Sequence, residues 1–147
     1  MTAFEIAALV VLVGLLVILT VIDLRHQILP NRLVLPGTVA AAIAAPLLPA
    51  DGYLSGLIGA VVAFSVFAVI YYGRPGVIGG GDVKLAALIG FALGFPGALI
   101  ALALAPVLML AVAAPMLAAR RWSLSQRVAY GPYMAVGTAA IAVLMVV

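Results

Sequence analysis

Asp23 and Asp82 are two of only four acidic residues in a chain of 147, and they stand where long apolar runs end or begin. Two carboxyl groups brought close together cannot both ionise easily, so one keeps its proton near neutral pH while the other is charged. Such a pair can hydrolyse an amide. The ionised member takes a proton from water, and the protonated member donates to the carbonyl oxygen as the tetrahedral intermediate forms. The apparent pKa values belong to the pair, so neither role is assigned to one residue.

Asp82 follows Gly79, Gly80 and Gly81. Glycine adopts positive φ readily and lets another backbone approach closely, as a scissile peptide beside the pair requires. The competing reading is a flexible turn in which Asp82 is the N-cap of the next helix. Capping gives no such reason for Asp23, because a negative charge at the end of its helix opposes the macrodipole. A solvated helix end is its alternative.

Other chemistries find no support in the sequence. The absence of cysteine removes disulfides, thiolate metal sites and a cysteine nucleophile. No His-Glu-x-x-His motif occurs, and the single histidine, His26, cannot build a metal site alone. The serines, Ser55, Ser65, Ser123 and Ser125, lie in no nucleophile motif. No metal is expected.

The elements that must position the aspartates are membrane helices. The chain is 68% hydrophobic and 7% charged, with mean hydropathy +1.41, whereas soluble domains carry about 25% charged residues. Six apolar segments are predicted at Ala3–Ile22, Leu33–Ala50, Tyr53–Tyr72, Val83–Phe95, Gly97–Ala119 and Pro132–Val147. The expectation is an all-α, polytopic helical bundle of about six transmembrane helices, forming a single domain over residues 1–147. The first segment lacks a basic leader and a small-residue cleavage site, so it reads as a spanning helix.

All seven basic residues fall on one side of this topology: Arg25 and Arg32, Arg74 and Lys84, and Arg120, Arg121 and Arg127. The positive-inside rule makes that side the cytoplasm, with both termini outside and both Asp23 and Asp82 at the cytoplasmic face. Seven cations split among short loops form no basic stripe, so no nucleic-acid partner is expected despite the net charge of +3. Glu5 and Asp51 read as hydrated boundary residues on the opposite side. The helix after Asp82 would be only about 20 Å long against a core of about 30 Å, which bilayer thinning, a recessed Asp82 or extra helical residues before it would accommodate.

Lys84 lies two residues beyond Asp82, about 200° away around a helix; it tunes the field of the pair, anchors lipid phosphate or snorkels to the interface. Gly52/Gly56 and Gly90/Gly94 have the four-residue spacing that permits close helix packing, expected within the monomer. The segment Arg120–Arg127, with Trp122, reads as an interfacial connection. Tyr130 and Tyr133 are either interface anchors or cleft residues, and Pro132 suits a first helical turn.

These residues resemble the type IV prepilin peptidases, membrane aspartic proteases with a G-x-G-D signature. Gly79-Gly80-Gly81-Asp82-Val83-Lys84-Leu85 is similar to their second catalytic segment. Asp23-Leu-Arg-His-Gln-Ile-Leu-Pro30-Asn31 is similar to the first, and Tyr130-Gly131-Pro132-Tyr133 to their aromatic-Gly-Pro-aromatic element. The resemblance implies that Asp23 and Asp82 are the catalytic pair, with Gly79, Gly80, Gly81, Lys84, Pro30, Asn31, Gly131 and Pro132 binding substrate or shaping the site. It also implies cleavage of prepilin-like precursors at the cytoplasmic end of their hydrophobic helix, in the cytoplasmic membrane. Full-length bacterial members carry an insert, often with Cys-x-x-Cys motifs, and methylate the new N-terminus with S-adenosylmethionine. The short form here is more similar to tight-adherence (Flp) pilus or archaeal preflagellin peptidases, so no cofactor is expected. The Tyr-Asp and Pro-Ala-Leu elements of presenilin-like proteases do not occur.

The sequence therefore points to an aspartic endopeptidase whose partners are a membrane-inserted prepilin and the lipid bilayer. The rival readings are a small proton- or cation-coupled transporter, with acids near the bilayer midplane, and a noncatalytic membrane scaffold.

Overall fold

A computed structural model of the chain describes residues 52–121 and 130–146, together with helical positions 3, 7, 10, 11, 14, 15, 17, 18, 21 and 22. Every regular element among the described residues is an α-helix: α1 Tyr53–Gly73, α2 Gly80–Leu93, α3 Gly97–Ala118 and α4 Gly131–Val146. The second expected span, Leu33–Ala50, lies outside the described residues.

Helices α1 and α3, of 21 and 22 residues, are long and apolar enough to cross a membrane, at about 1.5 Å per residue against a hydrocarbon core of about 30 Å. Their large side chains Leu54, Val61, Val69, Val107 and Leu110 are exposed, a surface suited to lipid rather than to water. The inward stripe of α1 is Gly56, Gly59, Ala63 and Phe67, spaced as one helical face. Helix α2 is the inner element. Ten of its 14 residues are buried, among them Leu85, Leu88, Ile89 and Leu93, and it packs most extensively against α1.

Small residues let these helices approach. A Cβ built on Gly59 would overlap the Gly90 carbonyl oxygen, and one on Gly56 would lie 2.8 Å from the Phe91 carbonyl oxygen. Between α3 and α4, Gly137 meets the Ala101 carbonyl in the same way. The expected close packing thus involves Gly56, Gly90 and Gly94, while Gly52 has open space around it and Gly59 is the additional contact.

Contacts at the two ends fix the helix directions. At one end, Tyr53 meets Phe91 edge to face with ring centroids 5.5 Å apart. There Ser55 Oγ both donates to the Phe95 carbonyl and accepts from its N–H, each at 3.1 Å. A Cβ on Gly97, opening α3, would touch Met145 and Ile141 near the end of α4. Successive helices therefore run antiparallel. The opposite end gathers the end of α1, the start of α2, the end of α3 and the start of α4.

Helix α2 corrects the expected segment Val83–Phe95. It begins at Gly80, within the glycine run, and stops before Gly94, whose φ of 64° is a left-handed geometry that glycine tolerates. The helix gains residues before Asp82 and loses them at the other end, so it remains about 21 Å long. Asp82 is not the N-cap. That position belongs to Gly79, with Asp82 three residues on.

Candidate active site

Gly79 is extended, at φ −82° and ψ 152°. Its N–H donates to Asp82 Oδ2 at 2.9 Å, while the Asp82 N–H donates to the Gly79 carbonyl at 3.0 Å. This is half of a capping box, since glycine has no side chain to return the other bond. The carboxylate also lies in the first turn of α2, where the helix dipole favours negative charge. These interactions explain how a helix can start on glycines.

Capping does not explain the burial. A carboxylate satisfies a cap equally well in solvent, yet Asp82 is only 6% exposed and its Oδ1 is enclosed. It is the sole buried charged side chain among the described residues. The other buried polar side chain, Thr138, is accounted for by its hydroxyl donating to the Met134 carbonyl at 2.8 Å. Burying a charge is costly, and clefts that do so are where acid–base chemistry is found.

Aromatic side chains gather at the same end of the bundle. The Tyr71 ring lies over Gly80, with its hydroxyl 3.7 Å from where a Cβ would stand. One turn back on α1, the buried Phe67 packs against Tyr130, their centroids 6.1 Å apart and planes inclined at 60°. Tyr130 precedes α4, and its carbonyl accepts from the N–H groups of Tyr133 at 3.1 Å and Met134 at 3.3 Å. Burial first, and the charge of Asp82 second, push the Tyr130 phenol from 10.0 up to about 12, so it stays protonated at neutral pH.

The arrangement unites several residues singled out in the sequence. Gly79, Gly80, Gly81, Asp82 and the half-buried Lys84 share the N-terminal part of α2, and Gly131 and Pro132 open α4 at the same end of the bundle. The described cations Arg74, Lys84, Arg120 and Arg121 all fall at this end. Asp23, Pro30 and Asn31 lie outside the described residues, as do Trp122 and Arg127. No motif in the sequence marks Tyr71 or Phe67. Their only signal was an aromatic cluster closing an apolar span, which reads equally as an interface belt.

Fold and site together define a helical membrane protein with a buried carboxylate at the start of its inner helix. Residues 10–114 match the type IV leader peptidase family, and the chain belongs to that family. It is 41% identical over 95 residues to the prepilin leader peptidase/N-methyltransferase of Bacillus subtilis (strain 168), covering 63% of this chain and 37% of that protein. With the protein of the same name from Myxococcus xanthus (strain DK1622) it is 37% identical over 92 residues, covering 59% and 28%. The match thus spans about a third of the length of these relatives. No solved structure matches the chain.

Proposed function

We propose that this chain is a prepilin leader peptidase, an aspartic endopeptidase in which Asp23 and Asp82 activate water and protonate the scissile carbonyl. The observation that carries the reading is the buried Asp82 carboxylate, held by the Gly79 N–H at the start of α2 in a member of the type IV leader peptidase family. Family membership also weighs against the transporter and scaffold readings.

In the proposed reaction the substrate's apolar helix lies against the exposed hydrophobic faces of the bundle. Its leader, unwound because a helical amide is shielded, reaches Asp82 beside Gly79–Gly81. One carboxylate takes the proton of the attacking water while the protonated partner donates to the carbonyl oxygen; as the C–N bond breaks, the first carboxyl gives its proton to the leaving amine and the second takes back the hydroxyl proton as the carbonyl re-forms. Lys84, Pro30, Asn31, Gly131 and Pro132 shape the cleft. The grouping of the described cations at the Asp82 end supports a cytoplasmic active site by the positive-inside rule. The proposed topology is six spans in a single domain, with both termini outside, in the cytoplasmic membrane.

The N-methyltransferase activity in the relatives' names is not carried over. The chain has no cysteine and so lacks the Cys-x-x-Cys motifs associated with the methylating members by resemblance. The test is incubation of the purified protein with prepilin-like substrates in detergent, with and without S-adenosylmethionine, followed by mass spectrometry. The reading expects one internal cut before the hydrophobic segment and no added methyl group. Absence of a cut in every prepilin-like substrate would overturn it.

A further inference from the structure

The glycine run at the start of α2 has a polar neighbour that neither the cap nor the packing requires. Tyr71 stands in the last turn of α1 and turns onto Gly80, and the tip of its ring is what arrives there. Its Oη lies 3.7 Å, and its Cζ and Cε2 3.8 Å, from where a Gly80 Cβ would stand. The two carbons would keep this contact without the oxygen, so packing does not account for the hydroxyl. The next residue, Tyr72, meets Tyr71 edge to face with centroids 5.2 Å apart, but it is 79% exposed where Tyr71 is 36% exposed. Tyr72 projects as an interface tyrosine does, whereas Tyr71 folds back over the site. None of the described residues hydrogen-bonds the Tyr71 hydroxyl. Gly80 itself lies within the span from Gly79 to Asp82 that is closed by the 2.9 Å bond to the carboxylate.

We propose that Tyr71 is a substrate-binding residue whose hydroxyl donates to a main-chain carbonyl of the unwound leader as it lies beside the glycine run. The proposal deepens the peptidase reading and rests on it. A substrate amide is open to attack only where its helix has come apart, and there its carbonyls have lost their helical partners. At a membrane boundary a main-chain carbonyl without a donor is costly, and a phenol hydroxyl supplies one. Because its partner is backbone, the bond serves leaders of different sequence. It holds the chain equally before and during attack, so its loss raises KM and leaves kcat as it was.

Two measurements on full-length protein in detergent test this. The first compares cleavage of a prepilin-like substrate by wild type, Tyr71→Phe and Tyr72→Phe. Tyr71→Phe is expected to raise KM about three- to tenfold, the effect of one net hydrogen bond, with kcat unchanged, while Tyr72→Phe leaves both constants as in wild type. The second places the photoreactive residue p-benzoylphenylalanine at position 71, or at position 53 at the far end of α1, in the Asp82→Asn protein, and maps the cross-link to the same substrate by mass spectrometry. Position 71 is expected to label the leader ahead of the hydrophobic segment, and position 53 is not. An unchanged KM in Tyr71→Phe, an equal rise in Tyr72→Phe, or no leader label from position 71 overturns the proposal. If wild-type protein cleaves nothing, the peptidase reading fails separately, and the cross-link still decides whether Tyr71 meets the leader.

Discussion

Gly59 of α1 and Gly90 of α2 meet backbone to backbone. A Cβ on Gly90 would stand 2.7 Å from the Gly59 carbonyl carbon and 2.8 Å from Ala60 Cα. Neither obstacle is a side chain able to swing aside. Gly90→Val should therefore destabilise the bundle by about 1–3 kcal/mol or more, whereas Gly73→Ala, in open space, should leave the melting temperature unchanged. Thermal unfolding in detergent followed by circular dichroism compares them, and an unaltered Gly90→Val would show that α1 and α2 do not cross there.

The bond from Gly79 N–H to Asp82 predicts a difference between two substitutions. Asn keeps a side-chain oxygen that accepts this bond; Ala does not. Asp82→Ala should be less stable than Asp82→Asn by about 1 kcal/mol, measured by the same unfolding experiment. Equal stability of the two would mean that the cap contributes nothing.

Gly79 and Gly80 should respond differently to alanine. At Gly80 the added methyl makes an ordinary contact with the Tyr71 ring, at 3.7–3.8 Å, whereas at Gly79 it comes against Asp82 Oδ2 itself, at 3.4 Å, the closer of the two contacts. Gly80→Ala should keep leader cleavage within about twofold, the effect of a change of about 0.5 kcal/mol. Gly79→Ala should reduce it further, because its methyl packs directly on the carboxylate oxygen and restricts it. Cleavage rates of the two variants check the order, and a more active Gly79→Ala would contradict it.

The helices that alternate cleanly between apolar span and polar loop were legible in the sequence. The expected Tyr53–Tyr72, Gly97–Ala119 and Pro132–Val147 correspond to Tyr53–Gly73, Gly97–Ala118 and Gly131–Val146. The start of α2 was not, because three consecutive glycines carry the local signal of a turn. The local cap, with Asp82 accepting from Gly79, and the tertiary setting, with Tyr71 over Gly80, together reveal a helix there. Asp82 itself was legible, since a lone acid beside an apolar span has few explanations. Tyr130 was ambiguous because nothing local distinguishes an interface tyrosine from one packed on a core phenylalanine of a distant helix.

The raised Tyr130 phenol predicts an alkaline effect on stability. Its folded value of about 12 exceeds the ordinary 10.0, so the folded state holds the proton more tightly than the unfolded chain. The contribution is complete below pH 10.0 and is lost as pH rises to about 12. Wild type should therefore lose more stability than Tyr130→Phe across this window, read as the midpoint of denaturant unfolding. Identical losses would contradict the burial of this phenol beside Asp82.

The proposed peptidase chemistry requires Asp23 to act together with Asp82. The decisive measurement is cleavage of a prepilin-like substrate by wild type, Asp23→Asn and Asp82→Asn, each purified and shown to be folded, with products located by mass spectrometry. The account predicts a single cut by wild type that is lost in both variants. Cleavage surviving in either folded variant would contradict a two-aspartate mechanism.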